Sequence, residues 1–183
     1  MKSPIQKPTF KIALCAIIAA LAAALMLMTS LIPVGTYALP CFAGAFLIAI
    51  VVEYGAKWAL GVYAVVSVLS FFIAGDKEAV LYFALFFGYY PVLKAFIEGR
   101  LKSRLIQYVF KFALFNAAAV GSFFIATKLL AVPAEEFTLF GIYMPLVFLA
   151  FGNLFFLLYD FALTSFVMIY VRKIREKLLH IFK

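Results

Sequence analysis

The stretch "IALCAIIAALAAALMLMTSLI", Ile12 to Ile32, runs for 21 residues without a charge. A bilayer's hydrocarbon core takes ~20 apolar residues to cross as a helix, so this run reads as a membrane span. It is too long for the ~7–15-residue core of a cleaved signal peptide. A lipoprotein site at Cys15 would want a small residue where Leu14 stands. The helix is therefore expected to be retained. Its centre is unusual, because six of the eleven residues from Ala16 to Met26 are alanine, where leucine or phenylalanine would satisfy lipid better.

The rest of the chain repeats the apolar theme. Of its 183 residues, 68% are hydrophobic, 19% are aromatic and 13% are charged, the last about half the share of a soluble domain. A mean hydropathy of +1.14 is more apolar surface than a soluble fold of this length can hide. The expected fold class is an all-α integral membrane protein, a six-transmembrane-helix bundle forming one membrane domain over 1–183. The spans are expected at about 10–32, 37–52, 58–74, 79–97, 105–132 and 141–170. Turns fall at "PVG" (33–35), "EYGAK" (53–57), "GDKE" (75–78), "EGRLKSR" (98–104) and "PAEEF" (133–137).

Charge sets the expected orientation. Of 16 Lys and Arg residues, all but Lys77 and Lys128 fall at one end of these spans. Positive residues stay inside, so both N-terminus and C-terminus are expected to be cytoplasmic. The net charge of +8 is thereby accounted for by the bilayer, with no nucleic acid partner.

Five groups of residues stand out. Ala16, Ala20 and Ala24 lie four apart on one stripe of the first helix, with Ala19 and Ala23 beside it. Small residues let backbones approach closely in lipid, so the stripe is a contact face, either for another span of this chain or for a separate protein. A second stripe, Ala113, Ala117 and Gly121, is expected to pack internally. Asp160 is an intramembrane charge, which is costly unless it faces a partner or a cavity. Asn153 and Thr164 share its helix face, while Lys111 and Lys94 enter from the same side. An internal polar network of Asp160, Thr164 and Lys111 is one reading, and a ligand or ion site is the other. Asn116 and Asn153 lie nearer mid-membrane and suit a small-molecule pocket. Tyr37, Tyr82, Phe86 and Tyr143 enrich the outer half in amphipathic aromatics, fitting either an interfacial belt or a flat, mostly apolar ligand.

Absences narrow the chemistry. His180 is the single histidine and sits in the basic tail, which excludes a histidine triad inside the membrane. There is one intramembrane aspartate, no phosphate-binding GxxxxGK[ST] loop, and no cluster with metal-ligand spacing. No enzyme activity, cofactor or metal is expected, and solute pumping would need energy from an ion or another subunit.

Topology, the AxxxA first helix and the turn "EYGAKWALGVY" (Glu53–Tyr63) together resemble the substrate-binding (S) component of an energy-coupling factor (ECF) vitamin transporter. The resemblance implies that Ala16, Ala20 and Ala24, flanked by Ala19 and Ala23, contact a transmembrane coupling subunit driven by two ATPase subunits. It implies a vitamin-sized ligand in the outer half, near Gly35, Thr36, Tyr37, Tyr82, Phe86, Asn116, Tyr143 and Asn153, and a prokaryotic inner membrane. Two other readings stay open. A structural scaffold of a cell-envelope or cell-shape assembly would use the basic tail for docking. An autonomous proton-coupled carrier would use Asp160, but the internal symmetry that would favour it is not visible.

Overall fold

A computed structural model describes residues 7–32, 35–128, 138–139, 142–143 and 145–175. Among these, six helical segments are long and apolar enough to cross a membrane, and the chain is a multi-pass membrane protein. Helix α1 (Pro8–Met28) starts on a proline, whose missing N–H costs nothing in a first turn. It ends four residues before Ile32: Thr29 donates its hydroxyl to the Met26 carbonyl at 2.7 Å, and Pro33 disfavours helical backbone in the residue before it.

Helix α2 (Gly35–Tyr54) is the hub and touches α1, α3, α7 and the fourth span. Its small residues Ala43 and Gly44 are buried, as are Leu47 and Ile50. Gly55, at φ 81°, turns the chain in one residue from α2 into α3 (Ala56–Ile73). Glycine suits that turn because it adopts positive φ without a Cβ clash.

The fourth span, Lys77–Arg100, is built in three pieces where the sequence reads as one helix. Asp76 caps α4 (Lys77–Tyr82) by accepting from the Ala79 N–H at 3.0 Å. A π-helical turn, Phe83–Phe87, follows, and its Gly88 N–H reaches the Phe83 carbonyl at 2.8 Å. Helix α5 (Tyr90–Arg100) then restarts on Pro91. Proline cannot donate to the carbonyl four residues back, so the ladder is already interrupted there. The Tyr63 hydroxyl donates to the Ala84 carbonyl at 2.6 Å, satisfying a group within the widened turn.

Helix α6 (Arg104–Lys128) and α7 (Pro145–Ile169) complete the bundle, α7 continuing as a π-helical turn over Tyr170–Ile174. The last span begins at Pro145, later than the expected 141, because residues 142–143 belong to an antiparallel pair of two-residue strands. In it Thr138 faces Tyr143 and Leu139 faces Ile142. Apart from that short ladder, the described residues follow the all-α class expected from the sequence.

Contacts across turns define the two ends. At one, Lys11 sits 3.9 Å from the Trp58 ring centre, and the Arg175 Nε is 2.9 Å from Glu53; we term it the basic end. At the other, Ser30 accepts from the Gly75 and Asp76 N–H groups. The interior is split. An aliphatic core joins α1, α2, α3 and the start of the fourth span through Ile18, Met26, Leu47, Ile50 and Val66. An aromatic core joins the π-helical turn, α5 and α7 through Phe86, Tyr90 and Phe156, with Phe112 and Phe115 of α6 packed against it. Large apolar side chains such as Phe72 and Leu146 cover the outside, as a bilayer allows.

Candidate functional site

The most polar feature of the interior is a charge cluster on three helices. Lys94 and Glu98 come from α5, Lys111 from α6 and Asp160 from α7. Asp160 Oδ1 accepts from the Tyr90 hydroxyl at 2.6 Å and from Lys94 at 2.7 Å, and Oδ2 from Lys111 at 3.0 Å. Glu98 Oε1 accepts from both Lys94 and Lys111 at 2.6 Å. Two ammonium groups thus meet two carboxylates, and the cluster is neutral. Lys94, Lys111 and Asp160 are all buried. Away from water each charge would cost several kcal/mol alone, so complete pairing is what lets the helices close on it. Thr164 shares the Asp160 helix face but donates to the Asp160 backbone carbonyl at 3.0 Å, four residues back. It ties down its own helix and lies outside the carboxylate's contacts.

Sequence reading named Lys94 and Lys111 as possible partners of Asp160 and missed Tyr90 and Glu98. A signal for both was present. Tyr90, Lys94 and Glu98 follow one another at four-residue spacing, so they share one face of α5. Above the cluster, Phe86 stacks on Tyr90 with ring centres 4.8 Å apart and packs edge-on against Phe115 and Phe156. Phe86 is 4% exposed and belongs to the aromatic core.

Asn116 and Asn153 meet across α6 and α7 in a reciprocal clasp. Each amide nitrogen donates to the other's side-chain oxygen, at 2.9 and 3.0 Å. Each also donates to the carbonyl four residues earlier, Phe112 or Leu149, at 2.8 Å. All four amide hydrogens are therefore committed within the protein, and the two residues hold each other.

The rim opposite the basic end holds the other expected ligand residues. Gly35 and Thr36 open α2, and the Thr36 hydroxyl donates to Asp76 Oδ2 at 2.7 Å. Tyr82 donates to Glu78 Oε1 at 2.5 Å; Tyr37 reaches the same oxygen at 3.4 Å, its ring 5.1 Å from that of Tyr82. Tyr143 is described only by its backbone, in the second strand. Gly35, Thr36, Tyr37 and Tyr82 are thus brought together, while Phe86 is buried and Asn116 and Asn153 are half-buried and pair with each other. The described residues contain no cluster with metal-ligand geometry.

The five alanines expected to form the contact stripe of α1 divide between two faces. Ala16, Ala20 and Ala24 are exposed, Ala19 is half-buried, and Ala23 turns inward with Ala22 and Met26. The chain's own described helices do not cover the outer three. Beside them runs a groove of about 530 Å³ between α1 and α3, lined by Ala16, Ala19, Lys57, Trp58 and Gly61 among others. A second hollow, of about 380 Å³, lies on α7 around Leu146, Ala150 and Leu154. The second small-residue stripe does not pack internally as expected: Ala113 and Ala117 are exposed, and a Cβ at Gly121 would meet open space. Helix α6 instead turns Lys111, Phe115, Ser122 and Ala126 inward, the face on which its one buried charge lies.

Comparison with family models, with curated proteins and with solved structures finds no match to this chain.

Proposed function

We propose that the chain is the membrane-embedded capture subunit of an ATP-driven importer of the ECF type, taking up a vitamin or similarly small micronutrient. The proposal places it in a prokaryotic inner membrane, with the basic end and both termini in the cytoplasm. What carries this reading is the bare face of α1, where Ala16, Ala20 and Ala24 point away from their own bundle. Lipid tails are as apolar as leucine, so a flat small-residue face gains little from lipid; its use is close van der Waals contact with another helix. The chain has no phosphate-binding loop for ATP, so a transmembrane coupling subunit seated on this face, with two ATPase subunits, supplies the energy. The ligand enters at the rim formed by Thr36, Tyr37 and Tyr82, with Phe86 and the asparagine clasp as the floor beneath it.

Co-purification tests this. The wild-type chain should bring down a coupling subunit and two ATPases, and Ala16→Trp, Ala20→Trp and Ala24→Trp should each lose them. A complex indifferent to all three substitutions would falsify the reading. A structural scaffold subunit is the second reading, favoured by the filled interior, since neither hollow described above is lined by the rim residues, Phe86 or the clasp. Native mass spectrometry separates the two: a vitamin-sized molecule retained by the purified chain fits capture, and its absence together with absent ATPases fits a scaffold.

A further inference from the structure

The two carboxylates of the charge cluster are not equivalent. Asp160 is 4% exposed and uses both oxygens, held by Tyr90, Lys94 and Lys111. The Glu98 side chain is 39% exposed and holds both ammonium groups through the single atom Oε1. Glu98 sits in the last turn of α5, two residues from its end at Arg100, so rotation about its side-chain bonds takes the carboxylate into solvent without moving a helix. What remains is two buried ammonium groups against one buried carboxylate. That is a net charge of +1, open on the side Glu98 has left.

We propose that Lys94 and Lys111 form an anion seat at the basic end of the bundle, in which the Glu98 carboxylate is the resident occupant and a phosphate group takes its place. The chemistry favours phosphate. The two ammonium groups converge on one point, each 2.6 Å from the same oxygen, and a phosphate offers a separate oxygen to each. Lys94 has three N–H donors and meets two acceptors, Glu98 and Asp160. The surroundings favour anions too: Arg100, Lys102 and Arg104 follow Glu98 across the α5–α6 junction, and all three are exposed. Such a local positive field raises the concentration of anions at the mouth. The phosphate belongs either to a lipid headgroup of the adjoining leaflet or to a soluble phosphate compound. Neither source depends on the transport reading.

The test uses the full chain in phosphatidylcholine nanodiscs, as wild type, Glu98→Gln and Glu98→Ala. Inorganic phosphate is titrated against chloride at constant ionic strength, with the thermal unfolding midpoint as readout. A second set of nanodiscs contains phosphatidylglycerol. Removing the competing carboxylate should tighten binding about tenfold relative to wild type, a change of about 1.4 kcal/mol. The gain should vanish when Lys111→Met is added to Glu98→Gln. A response to free phosphate identifies a soluble source, and a response to phosphatidylglycerol alone identifies a lipid. Two results overturn the proposal. One is Glu98 variants that fold and respond to neither probe differently from wild type. The other is failure of both Glu98 variants to fold, which would make Glu98 a required core member.

Discussion

Gly44 and Phe87 meet with no side chain between them: a Cβ at residue 44 would fall on the Phe87 carbonyl oxygen. The contact joins the hub helix α2 to the last residue of the π-helical turn. It explains how a widened turn fits inside a close-packed bundle, since the extra backbone girth is absorbed where α2 has none.

Gly44→Ala should therefore push α2 away from the fourth span, with an overpacking cost of about 1–3 kcal/mol. Gly61→Ala supplies the contrast, because a Cβ there meets nothing within 4 Å. Alanine is the better helix former by about 1 kcal/mol, so that variant should be neutral or slightly stabilised. Unfolding in mixed micelles with a denaturing detergent measures both, and equal effects would contradict the packing described.

Asp160→Asn keeps shape and removes charge. It leaves Lys94 and Lys111 facing Glu98 alone, and an uncompensated buried charge costs about 3–5 kcal/mol. Adding Lys111→Met restores neutrality, with Lys94 and Glu98 as a remaining pair 2.6 Å apart. The double variant should then be more stable than Asp160→Asn alone. The same unfolding assay reads the order of the two, and simple additivity would remove the case for a coupled cluster.

How much of this was legible in the sequence depends on the range of the interaction. Span number and the basic end follow from hydropathy and charge, properties that each segment carries by itself. That Asp160 would meet Lys111 was readable from depth, since both are about equally far from the same end. The fourfold spacing of Tyr90, Lys94 and Glu98 also lay in the sequence, legible only when the residues are taken together along one helix face. The π-helical turn was not legible. It depends on Pro91 acting together with the Gly44–Phe87 approach and the Tyr63 hydroxyl, three partners far apart along the chain. The fate of the asparagines was hidden for a similar reason. A lone polar residue in a span looks the same whether it awaits a ligand or already holds its counterpart.

Asn153→Ala leaves the Asn116 amide without its partner inside the bundle. Interhelical hydrogen bonds in membranes are worth about 0.6 kcal/mol on average and up to about 1.7. The two bonds of the clasp place this pair toward the upper end of that range. A cycle with Asn116→Ala, Asn153→Ala and the double variant should give a coupling of about 1–1.5 kcal/mol. If the clasp is instead a ligand site, a bound micronutrient should shift the coupling; a self-satisfied clasp predicts no shift.

The sharpest contrast lies on α1, between residues two positions apart. Ala22 is 0% exposed, packed with Met26 and Leu47 in the aliphatic core, while Ala20 points outward. Tryptophan at 22 has no room, and its overpacking cost starts at about 1–3 kcal/mol. Tryptophan at 20 touches only the surroundings and should stay within about 0.5 kcal/mol of wild type. Association with a partner complex should show a different pattern. Ala20→Trp should fold normally and lose the partner, which separates a docking face from a folding requirement. If Ala20→Trp also unfolds the isolated chain, the outer stripe belongs to a contact within the bundle, and the observation behind the importer reading is gone.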